Sequence, residues 1–236
     1  IAILAAMLGA RGSVGVVLLK AAFNRGIESP EQLEEQGISV YASIPLSEHQ
    51  QKVDRLEALK RRRKRKKDKD PIPLLSLSDP NDLAVEALRS LRTSLHFAMM
   101  EASNKVLMVS GPSPGVGKSF VSANLAAVLA QTGQKVVVVD ADMRKGNMHR
   151  FFENRNDAGL SDYLSGQVEQ SAIVQSTQME HLAFISRGQV PPNPSELLMH
   201  DRFKALMESL SSQYDIVLVD TPPILAVTDA AIVGQL

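Results

Sequence analysis

The segment Lys105–Phe120, with the sequence KVLMVSGPSPGVGKSF, limits the possible folds more than any other part of the chain. Val106–Val109 form a short apolar run that predicts a buried strand, and the residues after the glycines predict a helix. Between these elements, Gly115 and Gly117 let backbone N–H groups approach an anion without an intervening side chain. A strand, a glycine-rich turn and a helix in this order predict a P-loop, which binds the phosphates of a nucleotide.

Two side chains of this segment suit a nucleotide bound with a cation. Lys118 brings positive charge to the β- and γ-phosphates, and Ser119 offers a hydroxyl to Mg²⁺. A helix is predicted from Ser119 to about Gln131, and its N-terminal dipole favours an anion. The predicted phosphate-binding residues are Ser113, Pro114, Gly115, Val116, Gly117, Lys118, Ser119 and Phe120. The pattern is a variant, because Pro112 stands where a P-loop has glycine and Gly111 comes one residue early. A glycine-rich turn without a ligand is the alternative interpretation.

Two further apolar runs end in aspartates. Val136–Val139 lead into Asp140 and Asp142, and Ile216–Val219 lead into Asp220. Such continuous runs are typical of strands that are buried on both faces in a parallel sheet. Ligands of parallel sheets bind at the carboxyl ends of the strands. Each aspartate alone has a structural explanation as a turn former or helix cap.

Together with the phosphate loop, the aspartates predict a magnesium site. Ser119, Asp142 and Asp220 supply the hydroxyl and carboxylate oxygens that Mg²⁺ prefers, directly or through water. Asp140 is then free to act as a base. The predicted fold is therefore an α/β P-loop NTPase with a mainly parallel sheet flanked by helices.

These motifs resemble those of the bacterial tyrosine kinases fused to polysaccharide co-polymerases. The resemblance covers almost the whole chain and rests on SGPSPGVGKS, DADMRKG and VDTPPILAVTDAAIVG, on RGQVPPNPSELL at Arg187–Leu198, and on RGIESPEQLEEQGISVYASIP at Arg25–Pro45. It implies ATP-dependent autophosphorylation on tyrosine by a P-loop domain related to the partition and septum-site ATPases. It also implies a role in capsule and exopolysaccharide export, with the export machinery and a cognate tyrosine phosphatase as partners.

The resemblance also assigns roles to the site residues. Lys118 and Mg²⁺ are expected to neutralise charge on the transferred phosphoryl group, and Asp140 corresponds to the position thought to accept the tyrosine proton. The predicted catalytic residues are thus Lys118, Asp140 and Asp142. The start of the loop has no lysine, although the partition ATPases carry one there. A partition-type ATPase and a non-catalytic, nucleotide-gated scaffold remain as alternatives.

Glu86, Arg89 and Arg92 recur at three-residue spacing in VEALRSLRTSLHFA. On a helix they spread over roughly a third of the circumference. The apolar residues on the other side are Ala84, Leu88, Leu91 and Leu95. The resemblance implies that this charged edge joins copies of the protein into a closed ring. The alternative is a solvated face with an ordinary Glu86–Arg89 pair.

Asn147 departs from the family pattern. Many relatives have a tyrosine there, and its phosphorylation is thought to open the site by pairing with an arginine that aligns with Arg187. We expect this switch to be missing, and Arg187 either to pair with an acidic neighbour or to brace the loop. Farther along, Asn193 is predicted to cap one helix that continues to Leu210. The histidines lack metal-ligand spacing, so no zinc site is predicted.

The domain organisation is expected to run from membrane to cytoplasm. Residues 1–23 are interpreted as the end of a transmembrane helix, 24–55 as a juxtamembrane segment, 56–80 as a basic linker, and 81–236 as the kinase domain. Arg11 interrupts the apolar run, so a buried or interfacial helix is the alternative. We expect the chain to be a fragment that lacks the tyrosine-rich tail of the family, since its tyrosines are Tyr41, Tyr163 and Tyr214. The expected location is the bacterial inner membrane, with the kinase domain in the cytoplasm.

The net charge of zero conceals an uneven distribution. Lys60–Lys67 is a run of eight basic residues, which leaves 18 basic against 26 acidic residues elsewhere. The run is interpreted as a solvated linker, as a contact for anionic lipid headgroups, or as a nucleic-acid contact. No aromatic residues interleave it, which disfavours nucleic acid. Cysteine is absent from the sequence, so no disulfide framework exists.

Overall fold

The computed structural model describes residues 27, 29–53, 55, 71–100, 102 and 104–235. The predicted end of a transmembrane helix at residues 1–23 and the basic run Lys60–Lys67 lie outside the described residues. No helix among the described residues combines the length and the hydropathy that a membrane crossing requires. The described residues fall into two compact units, divided between Ser43 and Ile44. In the smaller unit, helix α1 spans Glu31–Glu34.

The larger unit is an α/β domain that begins at Ile44. It therefore includes a helical stretch at residues 48–53, N-terminal to the basic run. The strands are β1 Val106–Val109, β2 Val136–Asp140, β3 Val174–Ser176, β4 Leu182–Ile185 and β5 Ile216–Asp220. The helices are α2 Leu75–Ser78, α3 Leu83–Met100, α4 Lys118–Ala130, α5 Leu160–Leu164, α6 Gln170–Ile173, α7 Pro194–Leu198, α8 Asp201–Gln213 and α9 Asp229–Val233, with a 3-10 turn at Met148–Arg150.

The five strands form one sheet in the order β1-β5-β2-β4-β3. All neighbouring pairs are parallel except β3 and β4, which are antiparallel. The predicted mainly parallel sheet is thus confirmed. In the register, Asp220 lies opposite both Val109 of β1 and Asp140 of β2. The sheet therefore places the end of β1, where the phosphate loop starts, beside the end of β5, and the end of β5 beside the end of β2.

The strands differ in burial according to their place in the sheet. All five residues of β2 and of β5 are buried, because both strands lie inside the sheet between helices. The prediction that Val106–Val109 are buried is wrong in degree, since all four are only partly buried. The reason is that β1 is an edge strand of the sheet that the described residues form.

Two apolar cores cover the two faces of this sheet. Successive residues of a strand point to opposite faces, and accordingly Val136 and Val138 pack with α2, α3 and α4. Val137 and Val139 pack with α5, α7, α8 and α9. On α3, Ala84 and Leu88 are buried and Glu86 is exposed, so the apolar side of the helix predicted from the sequence does pack on the domain.

The prediction of one helix from Asn193 to Leu210 is wrong, because the chain forms the two helices α7 and α8. The backbone of His200 is extended, with ψ 142°, and its Nδ1 accepts a hydrogen bond from the amide of Arg202 at 3.1 Å. His200 therefore ends one helical path and caps the next. The Asn193 side chain does not cap α7; its Nδ2 donates to Glu196 Oε2. The apolar residues predicted to face the sheet are buried at Leu198, Phe203, Leu206 and Leu210.

Candidate nucleotide-binding site

The glycine-rich loop joins the end of β1 to the start of α4. Gly115 and Gly117 have φ of 79° and 95°, in the left-handed region that favours glycine. A Cβ at either position would have no atom within 4 Å. These glycines are thus required by the backbone conformation, and open space lies beside them. The first amides of α4 have no partner within the helix, so this end of the helix suits a phosphate.

Gly111 has a different role, which sequence reasoning missed. A Cβ there would lie 3.0 Å from Val116 Cγ2 and 3.2 Å from Cγ and Cδ of Lys118. The aliphatic stem of Lys118 therefore passes close over Gly111. The early position of the first glycine is explained by this contact, while Pro112, where the usual pattern has glycine, is exposed.

Asp220 is held by two hydroxyls of α4. Ser119 Oγ donates to Oδ2 at 2.7 Å, and Ser122 Oγ donates to Oδ1 at 2.8 Å. The carboxylate is 1% exposed. Burial raises the pKa of Asp220 to about 6 from 3.8, and the two hydroxyl bonds only partly oppose this effect. The charge of Lys118 also lowers this pKa.

Ser122 is a second residue that sequence reasoning missed. It is completely buried. Its position three residues after Ser119, on a helix, was the available signal, because residues at this spacing lie on one face. Both hydroxyls reach the same carboxylate for this reason.

Asp140 ends β2 and is completely buried. Its Oδ2 accepts a hydrogen bond from the Met148 amide at 3.1 Å, whereas its Oδ1 has no partner in the described part of the chain. Burial, followed by the charge of Asp220, raises the pKa of Asp140 well above its usual value. A Cβ at Gly146 would collide with Asp140 Oδ1. The loop after β2 thus passes directly over the carboxylate and separates it from solvent.

Asp142 stabilises the same loop. Its Oδ1 accepts hydrogen bonds from the amides of Arg144, at 3.2 Å, and Lys145, at 2.9 Å. Arg187 Nη1 donates to the carbonyl of Met143 at 3.4 Å. Of the two expectations for Arg187, this contact corresponds to a brace on the loop.

The donor atoms fit a hard cation. Among the described residues, no group of three or more His, Cys, Asp or Glu side chains is placed to hold a metal. The predicted set instead combines the Ser119 hydroxyl with the carboxylates of Asp142 and Asp220, and the charge of Asp142 raises the pKa of Asp220. Mg²⁺ at a phosphate site takes one or two carboxylates and completes its shell with phosphate oxygens and water. The residues present therefore suit Mg²⁺ bound with a nucleotide.

The structure separates the predicted residues into two groups. Lys118, Ser119, Asp140, Asp142 and Asp220 lie at the carboxyl ends of β1, β2 and β5 and in the loops that follow. The predicted assembly residues Glu86, Arg89 and Arg92 lie on α3.

The buried Asp220 gives a testable pH dependence. Because its folded pKa is raised, the folded protein keeps a proton between about pH 4 and 6 that the unfolded chain has released. This residue therefore makes the wild-type free energy of unfolding fall as pH rises through that window, by roughly 3 kcal/mol. In the absence of metal and nucleotide, the free energy of unfolding of Asp220→Asn minus that of wild type should increase from pH 4 to 6. Above pH 6 this difference should be constant. Urea denaturation at pH 4 to 8 measures the difference.

The matched control for this experiment is Asp157→Asn, which removes an exposed carboxyl. The gain in stability of Asp220→Asn is read as its excess over the Asp157→Asn value at each pH. An Asp220→Asn excess that does not change between pH 4 and 8 would contradict the assignment of a raised pKa.

Comparisons with known proteins identify the family of this chain. A family model described as an AAA domain matches residues 104–234. The tyrosine-protein kinase wzc of Salmonella typhimurium is 56% identical over 97% of this chain and 31% of its own length. The tyrosine-protein kinase etk of Escherichia coli K12 is 53% identical over 99% of this chain and 32% of its own. The chain thus spans about a third of the length of these curated relatives.

Solved structures give the same result at the level of the domain. The kinase domain of Escherichia coli tyrosine kinase ETK superposes with a TM-score of 0.78 at 53% identity, over 89% of this chain and 79% of that one. The BceF tyrosine kinase domain superposes with a TM-score of 0.80 at 45% identity, over 89% and 83% of the two chains. The chain therefore belongs to the AAA domain family and, within it, to the Wzc/Etk-type tyrosine-protein kinases.

Proposed function

We propose that this chain is the catalytic part of an ATP- and Mg²⁺-dependent protein-tyrosine autokinase that regulates capsular or exopolysaccharide polymerisation and export. The observation that carries the proposal is 53% identity to the ETK kinase domain across 89% of the chain. The site geometry supports it, because a phosphate loop, a lysine and two strand-end carboxylates converge at one edge of the sheet.

In this proposal the chain acts mainly by position and charge. The amides of the glycine-rich loop and Lys118 hold the β- and γ-phosphates. Ser119, Asp142 and Asp220 would hold Mg²⁺, and the ion would supply positive charge to offset the charge that develops on the transferred phosphoryl group. Because Ser119 and Asp220 already contact each other at 2.7 Å, little rearrangement of these two oxygens is needed.

Asp140 is proposed to accept the proton of the tyrosine hydroxyl. Burial raises the pKa of its carboxyl, and a base with a pKa nearer neutrality transfers protons more effectively than an ordinary aspartate. Since the loop at Gly146 and Met148 covers the carboxylate, this step requires the loop to move aside. Arg187, which braces the loop at Met143, is proposed to limit that motion in place of the tyrosine switch of other family members.

The remaining proposals concern the parts outside the site. Residues 1–23 are proposed to end a transmembrane helix, 24–55 to lie next to an inner membrane, and the basic part of 56–80 to form the linker. The kinase domain is proposed to lie in the cytoplasm and to extend beyond the predicted 81–236, because Leu74 and Leu75 are buried in its core and the larger unit begins at Ile44. Lys60–Lys67 is proposed to contact anionic lipid headgroups. A polysaccharide polymerisation and export system and a tyrosine phosphatase are the proposed partners.

The kinase proposal predicts transfer of phosphate to tyrosine that depends on Lys118. The chain is incubated with ATP, Mg²⁺ and a synthetic peptide of alternating glutamate and tyrosine, and phosphotyrosine is measured by mass spectrometry on both peptide and protein. Lys118→Met should lower transfer roughly 100-fold or more, because the charge on the β/γ-phosphates is lost. The matched control is Lys135→Met. Lys135 is exposed and directly precedes the first residue of β2, at the end of the strand away from Asp140, so this variant should retain wild-type transfer.

Two other outcomes would contradict the kinase proposal. Release of inorganic phosphate without phosphotyrosine would indicate a partition-type ATPase. Tight nucleotide binding with neither product would indicate a nucleotide-gated scaffold.

We also propose that α3 joins copies of the protein in a ring. Glu86 is exposed, and its carboxylate pairs with Arg89 on the same helix, while Arg92 is half-buried. The apolar side of the helix is used within the domain, so its charged edge is available to a second copy. A closed ring would let each copy present tyrosines to the site of its neighbour.

The assembly proposal predicts a loss of self-association without a loss of folding. Replacing Glu86, Arg89 and Arg92 together by alanine should weaken self-association at least about 10-fold, because the charged side chains that are proposed to pair between copies are removed. Sedimentation velocity with ADP and Mg²⁺ measures the association. Thr93→Ala, at an exposed position of the same helix, is the control. A triple variant that assembles like wild type would contradict the role of this edge.

A further inference from the structure

Three residues near Asp142 form a hydrogen-bonded group around one buried carboxylate, and we call it the Asp229 cluster. Asp229 is the first residue of α9, Arg144 belongs to the loop after β2, and Ser195 belongs to α7. Arg144 Nε lies 3.1 Å from Asp229 Oδ2, and Arg144 Nη2 lies 3.3 Å from Asp229 Oδ1. Ser195 Oγ donates to Asp229 Oδ1 at 2.6 Å and accepts from Arg144 Nη2 at 3.1 Å.

The geometry of the cluster is that of a strong, direction-specific contact. A guanidinium that meets both oxygens of a carboxylate fixes orientation as well as distance. The carboxylate of Asp229 is fully buried, while the Arg144 side chain is 40% exposed. A buried carboxylate that loses its partner is strongly unfavourable, so the structure holds Arg144 in this place.

The cluster is connected to Asp142 by a short route. The amide of Arg144 donates to Asp142 Oδ1, and the side chain of Arg144 reaches Asp229. Asp142 uses Oδ1 for this bond and for the Lys145 amide, and no partner of its Oδ2 is seen within the described part of the chain. A displacement of Arg144 would therefore move the carboxylate that is proposed to contact the cation.

The cluster also joins the two loops that carry the aspartates. Asp220 ends β5, and the chain continues from it through Pro222 and Pro223 to Asp229. Asp142 and Arg144 follow β2 in the same way. Arg144 and Asp229 thus link the loop after β2 to the loop after β5, and Ser195 adds α7 to the link.

We propose that Arg144, Asp229 and Ser195 are positioning residues that set the place of Asp142 relative to Asp220, and thereby the affinity of the nucleotide site for Mg²⁺. The inference rests on the proposed function, because it assumes that the two aspartates hold a cation with a nucleotide. It goes beyond that function by naming the residues that determine the distance between the two carboxylates. None of the three was singled out as a site residue by its sequence motif.

The first test separates metal binding from nucleotide binding. ADP affinity is measured by titration calorimetry in EDTA and in 5 mM Mg²⁺ for each variant. Asp229→Asn and Ser195→Ala should keep the metal-free ADP affinity within about 2-fold and lower the gain in affinity that Mg²⁺ gives by at least about 5-fold. Ser195→Thr retains the hydroxyl and should behave like wild type. Arg144→Lys retains the charge without the bidentate fork and should fall between wild type and Asp229→Asn.

The second test does not require a ligand. Amide hydrogen exchange of residues 141–147, in protein without metal or nucleotide, should be at least about 10-fold faster in Ser195→Ala than in Ser195→Thr, while exchange in β2 and β5 stays unchanged. If Asp229→Asn is too unstable to study, the Ser195 pair and Arg144→Lys carry both tests.

The possible results are distinct. Variants that lose the Mg²⁺ effect and keep metal-free ADP binding support the inference. Variants that keep the full effect of Mg²⁺ on ADP affinity overturn the inference. Variants that lose metal-free and metal-dependent ADP binding equally also overturn it, and they indicate a general structural role for the cluster. A wild-type protein whose ADP affinity does not respond to Mg²⁺ overturns the proposed function, and this inference with it.

Discussion

The burial of the Asp220 carboxylate at the end of a central strand is the constraint on which the rest of the site depends. The register places Asp220 directly opposite Asp140, so two carboxylates lie side by side in the interior. Ser119 and Ser122, on one face of α4, each donate a hydrogen bond to one oxygen of Asp220. The same bonds fix the start of α4, and therefore the loop that precedes it, against the sheet. The positions of the phosphate loop and of the buried aspartates therefore depend on each other.

This arrangement of carboxylates is unfavourable without a bound cation, although the charges of Lys118 and Arg187 oppose part of the effect. Burial raises the pKa of both Asp140 and Asp220, and a neighbouring carboxylate adds to this at each of them, Asp220 at Asp140 and Asp142 at Asp220. The folded protein therefore resists full ionisation of the pair. A cation with a nucleotide would stabilise the ionised form. The elements around the pair limit its motion in the meantime, since Met148 donates to Asp140 and Arg187 holds the loop at Met143. The two buried carboxylates therefore lower the stability of the metal-free protein, and they hold negative charge at a fixed place where a cation could bind.

Local patterns were sufficient to predict several parts of this structure. Each of these parts is encoded by residues close together in the sequence. The apolar runs before Asp140 and Asp220 form strands, the glycines before Lys118 form a loop, and the amphipathic segment forms the helix α3, as predicted. The strand-end aspartates were predicted to meet because carboxyl ends of parallel strands share one edge. That prediction required only the fold class.

The sequence could not reveal features that depend on residues far apart in the chain. The partial burial of β1 follows from the strand order, which local hydropathy does not encode. The contact of Lys118 with Gly111 depends on how the side chain folds back over the loop. The Asp229 cluster joins positions 34 to 85 residues apart, and the break at His200 depends on a hydrogen bond that its ring accepts. The helical spacing of the apolar residues from Leu197 to Leu210 predicted one continuous helix through His200.

Whether Asp220 holds the cation can be measured by electron paramagnetic resonance of Mn²⁺ in place of Mg²⁺, recorded with ADP on wild type and on Asp220→Asn. Wild type should bind one Mn²⁺ per nucleotide, with a hyperfine coupling to phosphorus that reports direct contact with a phosphate. In Asp220→Asn the affinity for Mn²⁺ should fall at least about 10-fold, because a first-row cation at a phosphate site depends on its carboxylate ligands. Equal Mn²⁺ affinity in both proteins, or binding that does not depend on ADP, would show that Asp220 is not a ligand of a cation bound with the nucleotide.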